Sequence, residues 1–154
     1  MANNTTNESV NQVSNVIKIE GVITSISLKL VNDKLTNETT HRVFINLDKE
    51  VPSKNGTTNS LSFSIKSFIY QACQANMLIA DYFGTVEGPL TQKQLSLTCR
   101  GAKVVLVRTF HEKGEKVEGV DDLVYTEDYW QSQIAALTPS TAAIARLNEA
   151  CKLD

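Results

Sequence analysis

Three cysteines, Cys73, Cys99 and Cys151, are all that this 154-residue chain offers for disulfide or soft-metal chemistry. Their number is odd, their spacing is wide and no Cys-x-x-Cys pair occurs, so neither a disulfide framework nor a zinc site is indicated, and reduced, buried thiols are expected. Histidine is scarcer still. His41 and His111 are the only neutral-pH bases available, and neither has a Ser or Cys neighbour in a nucleophile motif. A pair of Cys99 and His111 across a hairpin is the one dyad that can be imagined. Paired acids do not fill the gap, because Asp121-Asp122 and Glu127-Asp128 are adjacent in sequence and their carboxylates point apart on a strand or a helix. No glycine-rich phosphate loop is present. The chain therefore reads as a non-enzyme, with no cofactor and no metal site indicated.

Long apolar runs are missing too. Nothing approaches a membrane span, and the opening MANNTTNESVNQVSN lacks the basic start and apolar stretch of a secretory signal. An intracellular, cytoplasmic address is expected, which makes the Asn-x-Ser/Thr triplets at Asn7 and Asn55 by-products of Asn/Thr richness. A basic surplus is also absent. The formal net charge is −2, whereas nucleic-acid binders usually carry an excess of Lys and Arg. The distribution matters more than the sum. Between residues 93 and 116, Lys93, Arg100, Lys103, Arg108, Lys113 and Lys116 stand against only Glu112 and Glu115. In the next segment, Glu118, Asp121, Asp122, Glu127 and Asp128 have no basic partner among residues 118 to 128. Charge is thus segregated along the sequence, as on a working basic face or a solvated hairpin.

What is present organises itself around LSLTCRGAKVVLVRTFHEKGEK, residues 95 to 116. Its apolar run Val104 to Val107 is too short for a buried helix and predicts a strand inside a sheet, covered on both faces. Arg108, Phe110 and Lys103 sit among charges around it, and Lys113-Gly114-Glu115 forms a turn. Such a strand tip could hold a flat, anionic ligand or could be an ordinary solvated hairpin.

The length fits one domain with a proper core. Residues 1 to 14 read as a flexible polar arm. From Val16 a long strand follows, with Ile17, Ile19 and Ile23 on odd positions and Ile26, Leu28 and Leu30 on even ones. The phase flips near Thr24-Ser25, which predicts a β-bulge or a bend, and Gly21 fits the same bend. After a polar loop at 32 to 40, HRVFINLD turns Val43, Ile45 and Leu47 inward and Arg42, Phe44 and Asn46 outward. The chain reverses around Pro52 and Asn55-Gly56. In LSFSIK, Leu61, Phe63 and Ile65 go in, and Ser62, Ser64 and Lys66 go out. Ser67 then caps one long helix over 68 to 83, closed by Gly84. LSLTC is expected as the next strand. The tail reads as two short helices split at Thr138-Pro139, with Tyr129 and Trp130 as helix anchors. Its Ile144, Leu147 and Cys151 stripe packs on its own domain or fills a partner groove, for instance in a homo-oligomer.

A long bent strand, two more strands, a helix and a closing hairpin is the order of the OB-fold, a small Greek-key barrel. With RGAKVVLVRTFHEKGE in the place of a fourth strand running into a long basic hairpin, residues 16 to 126 resemble the single-stranded DNA-binding proteins of that fold, particularly those of phages and mobile elements. The ending ACKLD departs from the acidic, Phe-terminated tail of bacterial members. The resemblance implies a mainly β chain with an OB-fold-like barrel over 15 to 126, one central helix and a C-terminal helical extension over 127 to 154. It also implies binding of single-stranded DNA across the second and third strands and their loops. Such binding needs Lys or Arg to replace counterions and exposed aromatics for bases to stack on. Phe44 beside Arg42 is the first candidate, unless the C-terminal helices cover it. Phe110 with Arg108 and Lys103 is the second, and Lys66 and Lys29 could line the same groove. The alternative is a phage structural or assembly protein that uses the small barrel as an interaction module.

Overall fold

The computed structural model describes residues 15–32, 37–54 and 56–152; the expected arm over 1 to 14 and the centre of the loop after Asn32 lie outside them. The described residues are mainly β, with five antiparallel strands and four helices among them. Strand β1 (Val16–Asn32) is the long strand that the alternation predicts. Its register shifts between Ile23 and Ser25, where the sequence pattern flips. Up to Val22 it pairs with β4 (Lys103–His111), and from Ile23 onward with β2 (Thr39–Ser53). Gly21 serves the bend by close approach: a Cβ there would lie 3.1 Å from Asp48 Oδ1, which already accepts the Val22 amide at 2.9 Å.

Strand β3 (Gly56–Ser64) follows β2 by a hairpin whose Gly56 has φ +121°, a conformation that glycine adopts freely. The spatial order is β3-β2-β1-β4-β5, with β5 spanning Tyr129–Thr138. Val43, Ile45 and Leu47 are buried as the alternation requires. Val104 and Leu106 of β4 are buried between β1 and β5, whereas Val105 and Val107 are half-buried. The strand is therefore fully covered on one face and only partly on the other.

Four expectations for the remaining elements are corrected. The first of the two tail helices is strand β5, so residues 129–138 belong to the sheet and the presumed helical extension begins only after it. Trp130, Ile134 and Leu137 have helical spacing because β5 carries one extra residue opposite Val105 and Leu106, which moves Leu137 back onto the inner face. Second, LSLTC is not a strand but the end of helix α3 (Gln92–Cys99). Thr91 and Gln94 form a full capping box at its start, and Leu95, Thr98 and Cys99 are buried at helical spacing.

Third, the long central helix is two helices, α1 (Ile65–Ala75) and α2 (Met77–Thr85). Asn76 is extended and serves both, donating its amide to Ala72 O and accepting the Ile79 amide on its side chain. The starting cap is Ser64 and not Ser67, so Ile65 and Lys66 leave the strand and enter the helix. Gly84 lies in the last turn of α2 and Val86 caps it. Fourth, the second tail helix does not begin at the expected Thr138-Pro139 split: helix α4 (Thr141–Lys152) is capped by Ser140, whose hydroxyl accepts the Ala143 amide. α4 packs on α2 and α3, with Ala143 and Leu147 buried. Of its apolar stripe, Leu147 is thus covered by its own domain, and Ile144 and Cys151 are half-buried.

Ile23, Val43, Ile45, Phe68, Ile79, Leu95, Leu106 and Leu137 form the centre of one core between sheet and helices. Each such side chain contributes roughly 1.5–3 kcal/mol when fully buried. Two glutamines finish strand edges that have no strand beside them. Gln92 of α3 donates to Ile26 O and accepts the Leu28 amide of β1, and Gln71 of α1 accepts the Ile134 amide of β5. Among the described residues no backbone pairing joins β3 to β5; α1, which touches both, stands across that gap. No described helix is long and apolar enough to cross a membrane.

Candidate nucleic-acid interface

Antiparallel registry places directly opposed residues on one face, and on the outer face of β1, β2 and β3 it makes three rows. They are Ser25, Asn46 and Ser60; Ser27, Phe44 and Ser62; and Lys29, Arg42 and Ser64. Phe44 is half-buried at the centre, with only small hydroxyl side chains on the strands beside it. Lys29 Nζ lies 5.4 Å from the ring centroid. Arg42 Nη2 donates to the Ser62 hydroxyl at 3.1 Å, and Asn46 Nδ2 to the Ser25 hydroxyl at 2.8 Å. No carboxylate stands in these rows. The C-terminal helix, the alternative cover for Phe44, packs on α2 and α3.

The other sequence candidates do not converge on this face. Lys66 is exposed on α1. Lys103 is exposed at the start of β4, five residues from Arg108 and on the opposite face, roughly 17 Å along the strand. Phe110 is half-buried against Trp130, ring centroids 5.0 Å apart, so the hairpin packs its own aromatic. Arg108, expected among surface charges, is 3% exposed and continues the inward row of Val104 and Leu106. Its Nη1 donates to the Ser132 hydroxyl at 2.6 Å and its Nη2 to Pro52 O. The guanidinium also lies 5.3 Å from the Trp130 ring centroid. Among the described residues its Nε has no hydrogen-bond partner. Burial pulls its pKa below the ordinary arginine value, and Tyr129 opposes part of that shift.

Arg108 forms part of the wall of a cleft of about 560 Å³ that follows the gap between β3 and β5. Arg42, Ser60, Ser62 and Ser64 belong both to the Phe44 face and to this cleft, so the two are continuous. Gln71, Tyr129, Trp130 and Ser132 complete the far side. Two carboxylates at the rim already have partners: Glu127 is 3.0 Å from Lys54, and Asp128 accepts the Lys113 amide.

No family model, no curated protein and no solved structure matches this chain. Its functional reading rests on the geometry.

The linear run of positive charge is dispersed in space. Lys93 and Arg100 line a second cleft of about 530 Å³ with Tyr82 and Arg146, a cluster that linear order conceals because Arg146 comes from α4. The dyad of Cys99 and His111 is not formed. Cys99 is buried beside the Thr98 hydroxyl and its pKa is pushed up to about 11, largely by desolvation. His111 lies on the hairpin with Glu115 and Gln131 as partners and stacks on Tyr125, centroids 4.6 Å apart. Trp130, expected as a helix anchor, is a strand residue facing Phe110, Arg108 and the cleft. Its place beside Phe110 and Arg108 follows from the β4–β5 register, which chain order does not reveal.

Proposed function

We propose that this protein binds single-stranded DNA, without strong sequence preference, across the outer face of β1, β2 and β3, and that its sheet is a small OB-type barrel closed by α1. The observation that carries this is Phe44, held at the centre of a face of serines and asparagine, with Lys29 and Arg42 in the adjoining row. A base can stack on a ring whose strand neighbours are too small to shield it, and the two cations replace counterions of the flanking phosphates. Hydroxyl and amide groups suit many base edges equally, which favours tolerance over readout of one sequence. The barrel reading is supported by the connectivity. β1 bends to pair with β4 and β2 in turn, α1 to α3 enter between β3 and β4, and α1 bridges the open side.

Fluorescence anisotropy with a labelled oligo-dT of about thirty nucleotides at low salt tests it. Saturable binding at micromolar protein, weakened by Phe44→Ala, is the expected result. No binding by the folded protein under those conditions rejects the proposal and leaves the barrel as an assembly module.

A further inference from the structure

We infer that the cleft between β3 and β5 is a phosphate-monoester site anchored by Arg108, which takes the terminal phosphate of a strand lying on the Phe44 face. The inference rests on the strand-binding reading and adds to it a position for the strand's end. A guanidinium that is 3% exposed and has no carboxylate within ion-pair distance among the described residues is an unfinished arrangement. Buried charges are paired or fully hydrogen-bonded in folded proteins, because the desolvation cost is otherwise uncompensated. Arg108 uses one donor on Ser132 and one on Pro52 O, and its Nε–H meets no acceptor among the described residues. Ser132 and Pro52 fix the plane of the fork, and a dianionic oxygen cluster is the partner that such a fork is built to meet.

The walls agree with that ligand. Arg42 gives a second guanidinium at the mouth, and Ser62, Ser64 and Gln71 offer neutral donors. The two rim carboxylates are held by Lys54 and by the Lys113 amide, which lowers their repulsion of an incoming anion. About 560 Å³ is more than a bare phosphate requires, and Trp130 and Tyr129 supply a surface for an attached base. A mononucleotide and a strand end share this chemistry. The shared residues Arg42, Ser60, Ser62 and Ser64 favour the strand end, since a chain crossing Phe44 can reach the cleft without leaving the protein.

The test uses the full chain and competition against a labelled oligo-dT by three unlabelled strands of equal length, ending in a 5′-phosphate, in a 3′-phosphate or in hydroxyls alone. One phosphorylated strand is expected to compete about tenfold better than the hydroxyl-ended one, and Arg108→Met to remove that difference. Thymidine monophosphate should raise the melting temperature where thymidine does not. The comparisons on the unmodified protein decide the matter even if the variant fails to fold. Equal competition by all three strands with no effect of the monophosphate overturns the inference, and the strand-binding reading survives if the hydroxyl-ended strand still binds. Protection by the monophosphate without a strand-end preference overturns the assignment to strand ends in favour of a free nucleotide.

Discussion

Lys29 Nζ on β1 stands 5.4 Å from the centre of the Phe44 ring on β2, so the one aromatic of the outer face has a cation over it. At such an exposed site the pair contributes about 0.5–1 kcal/mol, small enough for the lysine to swing to a phosphate when a base arrives. Phe44→Ala is therefore expected to weaken oligo-dT binding by roughly 1–3 kcal/mol while the dependence of affinity on salt stays the same. Phe44→Trp should retain binding. Anisotropy titrations at several salt concentrations distinguish stacking from charge, and an unchanged affinity in Phe44→Ala would remove the ring from the interface.

The two cations of the adjoining row should behave in the opposite way. Lys29→Gln and Arg42→Gln are each expected to flatten the slope of log affinity against log salt by roughly 0.7, the single-strand value for one phosphate contact. Lys93→Gln and Arg100→Gln, in the second cleft, should leave that slope unchanged. If the second pair flattens it and the first does not, the strand runs along the helices instead of the sheet.

Gln92 acts as a substitute strand. Its amide meets Ile26 O at 2.6 Å and the Leu28 amide at 2.7 Å, on the side of β1 that β4 no longer reaches. Gln92→Leu leaves both backbone groups unpaired and is expected to cost about 1–3 kcal/mol in urea unfolding, two hydrogen bonds at the usual net value. The neighbouring Lys93→Leu, exposed and without such bonds, serves as the control.

The sheet was legible where one residue in two faces the core. The flip at Thr24-Ser25, the inward set Val43, Ile45 and Leu47, and the outward Phe44 all follow from period two alone. The pattern misled where a local device intervened. One extra residue in β5 gave Trp130, Ile134 and Leu137 a helical spacing, and Leu95, Leu97 and Cys99 alternate like a strand although the Thr91-Gln94 capping box commits them to a helix. Lys29 and Arg42 could be paired only once the register was known. Arg108 could not be placed from its charged neighbours in the chain, because its environment is made by Pro52 and Ser132, 56 and 24 residues away.

Burial raises the Cys99 thiol to about 11 from an ordinary 9, with the Thr98 hydrogen bond acting in the opposite direction. The folded protein holds this proton more tightly than the unfolded chain. The contribution to stability is therefore whole below about pH 9 and is lost as pH rises through about 11, a change on the order of 2–3 kcal/mol. Unfolding free energies measured across that window should fall more steeply for the native chain than for Cys99→Ala, whose side chain does not titrate. Parallel curves would mean that the thiol opens to solvent before the fold does.

Arg108→Met separates a structural arginine from a binding one. The substitution loses the bonds to Ser132 and to Pro52 O, worth about 0.5–1.5 kcal/mol each or more with a charged donor. It also removes a cation that is 3% exposed and has no carboxylate partner among the described residues, a charge that burial disfavours. The methionine extends the apolar row of Val104 and Leu106, and Trp130 lies beside it. Relief of desolvation opposes the loss of the bonds, so the melting temperature is expected to stay close to that of the native chain while the preference for phosphorylated strand ends disappears. A clear fall in melting temperature would show that Arg108 holds β2 and β5 together by its hydrogen bonds, and the ligand role would then be decided by the competition measured on the unmodified protein.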